Sequence, residues 1–391
     1  MSESRPNFLI IMSDEHAPQC MGAYGHEQVQ TPNLDALAET GVLFENAYCN
    51  SPLCSPSRMS FMTGRYAHKI SAYDNSNALS VDEPTWAHRL RDVGYEVVLC
   101  GKQHFVGLDQ LHGFHEQIAR DLHAESFHEL LLWDDGTPTA AHPWRHMAQA
   151  GPGRTVEIEV DDGVEAAALA WLRDPKRGEQ PWALNVGFIA PHFPFVAPQE
   201  YWDLYPPESI DLPRARPNLE DQPPVYQRMR RMFGLVDFTD DEVRRARVGY
   251  FALITWLDHK IGRLLDTLEE TGQLDNTVVI YLSDHGEMAG EHGMWRKSNF
   301  REWSARIPVI FSWPGRFTAG CREKGVISLV DVVATFLDIA GAPMDGSLDG
   351  DSFLPLLTEG AAAWKDEAGS VSTWRMVWRG LWLCCGEDGI S

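Results

Sequence analysis

Two short polar runs, Ser13-Asp14-Glu15-His16 and Ser283-Asp284-His285-Gly286, set carboxylates beside imidazoles. Each directly follows an apolar run, Phe8 to Met12 in one case and Val278 to Leu282 in the other. Carboxylate oxygens and imidazole nitrogens delivered at the ends of two buried strands point to one shared polar site. Gly101-Lys102-Gln103-His104 and Pro191-His192-Phe193-Pro194 close two further apolar runs, Tyr95 to Leu99 and Ala183 to Ile189. A nucleophile candidate lies in Pro52-Leu53-Cys54-Ser55-Pro56-Ser57-Arg58-Met59-Ser60-Phe61-Met62-Thr63-Gly64-Arg65. The seven cysteines are odd in number and form no Cys-x-x-Cys pair. That argues against a disulfide framework and against a thiolate zinc site. Cys20, Cys49 and Cys100 read as small core residues, whereas Cys54 stands in a patterned segment.

The elements that must position these groups alternate between strand and helix. Phe8 to Met12 is apolar without alternation, as expected of a strand buried on both faces of a parallel sheet. A helix is predicted from Thr31-Pro32-Asn33 through Ala38, with Thr31 as cap and Pro32 in its first turn. Pro84-Thr85 to Val93 reads as a second helix. Thr239-Asp240-Asp241-Glu242 is a capping box opening a long amphipathic helix to about Leu268. Asn276-Thr277 then turns into the strand Val278 to Leu282. Tyr205 to Pro224 is rich in proline and reads as a surface excursion, and no internal repeat or low-complexity tract is found. The alternation favours an α/β fold with a doubly wound, mostly parallel sheet flanked by helices.

The 391 residues suffice for one large α/β domain and a small second one. With 44% hydrophobic and 23% charged residues, the chain has the composition of a globular enzyme. Its formal net charge of −23 would repel nucleic acid and anionic membranes, so neither is expected as a partner. No segment is long enough to span a bilayer, and the mixed-charge N-terminus is no signal peptide, which points to the cytoplasm.

The segment around Cys54 resembles the signature of the type I sulfatases of the alkaline phosphatase superfamily: a cysteine, x-Pro-x-Arg, then Thr-Gly. Thr63-Gly64-Arg65 extends the match. The resemblance covers nearly the whole chain and implies an alkaline phosphatase-like fold. It implies that Cys54 is oxidised by a formylglycine-generating or equivalent maturation enzyme to 3-oxoalanine (formylglycine), whose hydrated aldehyde attacks sulfur. Asp14 and the pair Asp284-His285 match the metal-binding positions. Glu15 stands where members carry Asp or Gln, and either ligates the metal or lies behind the ligands. Gly101 to His104 matches a second motif loosely, its Ser/Thr position being Val97 here. His192 and Lys297 match substrate-side positions. The runs Tyr48 to Cys54, Ala72-Tyr73-Asp74-Asn75, His104 to Gly107 and Asp109 to Phe114 look closest to choline sulfatases.

Physical chemistry gives each residue type a reason. A hard divalent cation held by carboxylates polarises the oxygens of a sulfate ester. Asp14, Asp284, His285 and Glu15 are its candidate ligands, with the modified Cys54 completing the set. Calcium is the usual metal of the family, and the softer imidazole of His285 would also suit manganese. Arg58 would fix the formylglycine diol, while Lys102 and Lys297 would offset charge on the sulfate. His104 is placed to take the diol's second proton. His192 or Lys297 would protonate or stabilise the leaving oxygen, and Asn75 is a candidate donor to sulfate.

The expected activity is hydrolysis of sulfuric esters of small molecules, with choline-O-sulfate as the substrate candidate. Its quaternary ammonium needs aromatic faces, for which Phe127, Trp133 and Trp144 are available, unless they simply pack a loop. A phosphonate monoester or phosphodiester hydrolase of the same superfamily is the alternative, and a non-catalytic anion-binding member the third reading. A homo-oligomer stays open. The domains expected are a catalytic unit over 1–368 and a truncated remnant of a small antiparallel C-terminal subdomain over 369–391. Its last roughly twenty residues, with Trp374, Trp378, Leu381 and Trp382, would then lack strand partners.

Overall fold

The computed structural model describes residues 5–122, 147–235, 238–358, 363–372, 381–386 and 389–390. Phe127, Trp133, Trp144, Trp374 and Trp378 lie outside the described residues.

The strands are β1 (Asn7–Asp14), β2 (Val42–Tyr48), β3 (Glu96–Gly101), β4 (Glu116–Ala119), β5 (Gly151–Pro152), β6 (Trp182–Pro191), β7 (Val196–Ala197), β8 (Thr277–Ser283), β9 (Arg306–Ile307), β10 (Val309–Ser312) and β11 (Cys321–Ser328). The central sheet has the order β11-β2-β10-β8-β1-β6-β3-β4, with β9 attached to β2. β1 runs parallel to both β8 and β6, and β3 parallel to β6 and β4. β10 is antiparallel to both β8 and β2. The expected mostly parallel α/β sheet is therefore what the chain forms.

Side chains alternate across β1. Leu9 and Ile11 face a core shared with α1 (Pro32–Thr40) and with the helices called here α4 (Val156–Leu172) and α5 (Asp240–Glu270). Phe8, Ile10 and Met12 face the opposite core, shared with α2 (Cys54–Thr63), α3 (Trp86–Asp92) and α6 (Leu329–Ile339). Helices on both faces explain why β1, β6 and β8 are buried along their whole length. No described helix is long and apolar enough to cross a membrane.

The capping box of α5 is present, Thr239 and Glu242 bonding each other's backbone N–H. At α1 the expectation needs correction. Pro32 opens the helix, but Thr31 does not cap it with its side chain. Its hydroxyl donates to Asp35 Oδ1 and accepts from Gly22 N. The cap comes from the neighbouring helix instead, where the Asp258 carboxylate accepts from Asn33 N and Leu34 N. A carboxylate with two oxygens satisfies two of the free N–H groups at once.

The C-terminal expectation also needs correction. β12 (Ala368–Ser372) pairs antiparallel with β13 (Leu381–Gly386), which pairs with β14 (Gly389–Ile390). The segment 381–386 thus has the strand partner it was expected to lack. The reason lies in β12, whose Val371 N donates to Asn50 O while Gly369 O accepts from Asn50 Nδ2. Anchored in this way, β12 offers its other edge to the segment that follows.

Candidate active site

β1 and β8 pair in register from Asn7↔Thr277 to Ser13↔Ser283. The next residues, Asp14 and Asp284, therefore leave two adjacent strands side by side. Between them lies the N-terminus of α2, all ten residues of which are buried. Cys54 is its first residue, so the partial positive charge of the helix end favours an anion there.

The two aspartates divide their oxygens between two tasks. Asp14 Oδ2 meets Lys102 Nζ at 2.6 Å and Arg58 Nη2 at 3.3 Å. Asp284 Oδ2 accepts from Arg58 Nε at 2.7 Å. The opposite oxygens turn toward Cys54 and His285. Asp14 Oδ1 is 3.8 Å from Cys54 Sγ and 3.6 Å from His285 Nε2, and Asp284 Oδ1 is 3.5 Å from that same nitrogen. His285 Nε2 lies 3.2 Å from Cys54 Sγ. Its Nδ1 is 3.0 Å from the carbonyl oxygen of Gly286. A carbonyl only accepts, so Nδ1 carries the hydrogen and the neutral ring presents a bare Nε2 to the cluster.

One ligand atom from each of Asp14, Cys54, Asp284 and His285 lies within 4.8 Å of the others. Two carboxylate oxygens, an imidazole nitrogen with its tautomer fixed from behind, and the Cys54 side chain make a donor set that fits a divalent cation. Glu15 is set apart from these four. It groups with Asp14 and His192 instead, and its Oε2 is 3.1 Å from Lys297 Nζ and 3.4 Å from His192 Nε2.

The charges are strongly coupled. Burial opposes the Cys54 thiolate, but Lys297, His285, His104 and His192 outweigh it and hold the thiol well below its ordinary range. Burial and the Cys54 charge push Asp14 up, yet Lys102 and Lys297 win and keep it well below the usual carboxylate range. Burial, then Lys297, hold His192 well below an ordinary histidine, so it is neutral. Its Nδ1 faces the Phe193 carbonyl at 2.6 Å and carries the hydrogen. Lys297 keeps its proton, because Cys54, Glu15 and Asp14 outweigh the burial that opposes it.

Lys102 and His104 arrive on the loop after β3. Lys102 N donates to Gly187 O on β6 at 2.8 Å, and a Cβ on Gly187 would stand 1.9 Å from Lys102 O. Only glycine lets the loop pass there. Arg58 Nη1 donates to Lys102 O at 2.9 Å, tying the loop to α2. The His104 ring bonds the Cys54 thiol. Asn75 Oδ1 accepts from Ser55 N at 3.0 Å, which fixes its amide and leaves the NH2 group as the donating end. Of the residues named from sequence, Cys54, Arg58, Lys102, His104, His192, Lys297, Asp14, Glu15, Asp284 and His285 thus converge, Asn75 borders them, and Trp133 lies outside the described residues.

Three residues of the site were missed in the sequence. The buried Glu287 accepts from Ala289 N and Arg296 N and bonds Glu15. Its signal was an acid in a short loop of small and apolar residues three positions beyond Asp284. Asp121 holds the loop that carries His104, and Asp161 holds the end of β6 just before His192. Nothing in their local sequence separates them from surface acids.

Residues 6–342 match the family model described as Sulfatase. The chain belongs to the sulfatase family. These enzymes hydrolyse sulfuric esters, and this sulfatase is 38% identical over 384 residues to a choline-sulfatase of Rhizobium meliloti, covering 91% of this chain and 72% of that protein. It is 31% identical to an arylsulfatase of Clostridium perfringens, covering 93% and 80%. Among solved structures, the phosphonate monoester hydrolase of Agrobacterium radiobacter superposes with a TM-score of 0.79 at 24% identity, covering 99% of the sulfatase and 88% of that chain. At that identity the likeness speaks for the shared alkaline phosphatase-like fold alone.

Proposed function

We propose that this sulfatase works through formylglycine made from Cys54, with Ca2+ held by Asp14, Asp284, His285 and the modified residue, and that choline-O-sulfate is its substrate. The observation that carries the reading is the convergence of Cys54, at a buried helix N-terminus, with three candidate ligands and with His104 and His192. A bound cation supplies Lewis-acid polarisation of the sulfate oxygens. Mn2+ is the alternative, because His285 is a softer donor than oxygen.

The chain's own residues divide the remaining work. Arg58 holds the two aspartates in place while their other oxygens face the ligand position. Lys102 and Lys297 offset sulfate charge from two sides, and the Asn75 NH2 group donates to a sulfate oxygen. His104, in contact with Cys54, withdraws the proton whose loss expels sulfate. Between His192 and Lys297, Lys297 is the group that keeps its proton, so it stabilises the leaving oxygen. Glu15 holds Lys297 rather than the metal.

The substrate proposal rests on the likeness to the choline-sulfatase and on the net charge of −23, which favours a zwitterion over a polysulfated sugar. The test is to compare kcat/KM for choline-O-sulfate, nitrophenyl sulfate and a matched phosphonate monoester. The reading requires choline-O-sulfate to be turned over best. A higher value for the aryl sulfate would overturn the substrate, and a higher value for the phosphonate would overturn the sulfate preference itself.

A further inference from the structure

His104 has φ = 60°, a left-handed conformation that a residue with a side chain adopts only at a cost. Something must hold it there. The backbone before it is pinned at Lys102, as described, while the Gln103 side chain accepts from Asn185 Nδ2 at 3.2 Å. The last restraint is Asp121, only 7% exposed. One of its oxygens, Oδ2, accepts from Gln103 N at 3.0 Å and from His104 N at 2.5 Å. Two successive N–H groups closing on one carboxylate form an anion-binding nest, and here the anion belongs to the chain itself.

We propose that Asp121 is a positioning residue for His104, its carboxylate fixing the left-handed backbone from which the imidazole reaches Cys54. The inference rests on the role given above to His104. The bonds of Asp121 go to the backbone of the loop that carries His104, and its charge also acts on Lys102 of the same loop, so its removal acts through that loop. Without it, two buried N–H groups lose their acceptor, and the backbone is free to relax toward the right-handed region.

A double-mutant cycle tests this in the matured, metal-loaded enzyme, with nitrophenyl sulfate as substrate. Asp121→Ala is expected to lower kcat about 100-fold, the scale of a misplaced catalytic group. Asp121→Asn, which keeps an oxygen acceptor but not the charge, should lose about 10-fold. In a His104→Ala background both changes should cost nothing further. If Asp121→Ala does not fold, Asp121→Asn carries the cycle alone. The second readout is the NMR signal of the His104 ring, assigned by its loss in His104→Ala, which should move in Asp121→Asn. Equal losses of kcat with and without His104, or an unmoved ring signal, would overturn the proposal. Wild-type turnover in His104→Ala would instead overturn the role of His104, and the ring signal would still decide whether Asp121 positions it.

Discussion

The guanidinium Nε of Arg58 stands 2.7 Å from Asp284 Oδ2, and neither side chain touches solvent. With its second bond to Asp14, Arg58 neutralises two carboxylates that would otherwise face each other at adjacent strand ends. Removing one partner of a buried ion pair costs about 3–5 kcal/mol, because the remaining charge stays buried. Arg58→Ala is therefore expected to lose about that much unfolding free energy in metal-free protein, measured by urea titration. Saturating divalent cation should recover part of the loss. Unchanged stability without metal would contradict the bridging role.

Metal binding should depend on pH through His285. Burial works against its charged form, but Asp284 and Cys54 outweigh it and raise its pKa above the ordinary histidine value. A cation must displace that proton, so affinity falls as pH drops through the raised pKa. Calorimetric titration of protein carrying the Cys54 thiol with Ca2+ at about pH 6 and about pH 8 should show weaker binding at the lower value, with proton uptake by the buffer. His285→Ala should bind more weakly at both and show a flatter dependence.

Asp161 makes stability depend on pH in the opposite sense to an ordinary salt-bridged aspartate. Burial raises its pKa from 3.8 to about 7, despite bonds from Ile189 N and Ala190 N. The folded state then holds a proton that the unfolded state releases, so this contribution is full below pH 3.8 and is lost as pH rises through about 7. Asp161→Asn mimics the protonated acid. Relative to wild type it should gain stability steadily across that window, on the order of 1–4 kcal/mol at its upper end. A pH-independent difference between the two proteins would contradict this.

Gly187 tests the loop geometry from the other side. Because a Cβ there would meet Lys102 O at 1.9 Å, Gly187→Ala must displace the loop that carries Lys102 and His104. The expected outcome is a kcat lower by about 100-fold with a smaller loss of metal affinity, since that loop carries no candidate ligand and reaches one only through the Lys102–Asp14 pair. Calcium affinity and steady-state turnover measured on one preparation separate the two effects.

Much of this arrangement was legible because it follows from chain-local pattern. The apolar runs before Asp14 and Asp284 announce buried strands, and a buried parallel strand delivers its next residue to the ligand-binding edge of the sheet. The pairing of β1 with β8 was not legible, because Ser13 and Ser283 stand 270 positions apart in the sequence; it is their register that makes one site of two motifs. Asp121 and Asp161 escaped notice because their roles consist of bonds to backbone N–H groups of other elements, which leave no spacing to read. Thr31 misled for the same reason, since a carboxylate on another helix, Asp258, took the capping task. The tail misled because strand pairing there depends on the anchoring of β12 by Asn50.

The central claim is that Cys54 supplies the nucleophile as formylglycine. The most direct measurement is mass spectrometry of the peptide containing Cys54, taken from protein co-expressed with a maturation enzyme and assayed in the same preparation. The account predicts the aldehyde in place of the thiol, activity in proportion to its fraction, and a folded but inactive Cys54→Ala. Full sulfatase activity from protein carrying only the intact Cys54 thiol would contradict it.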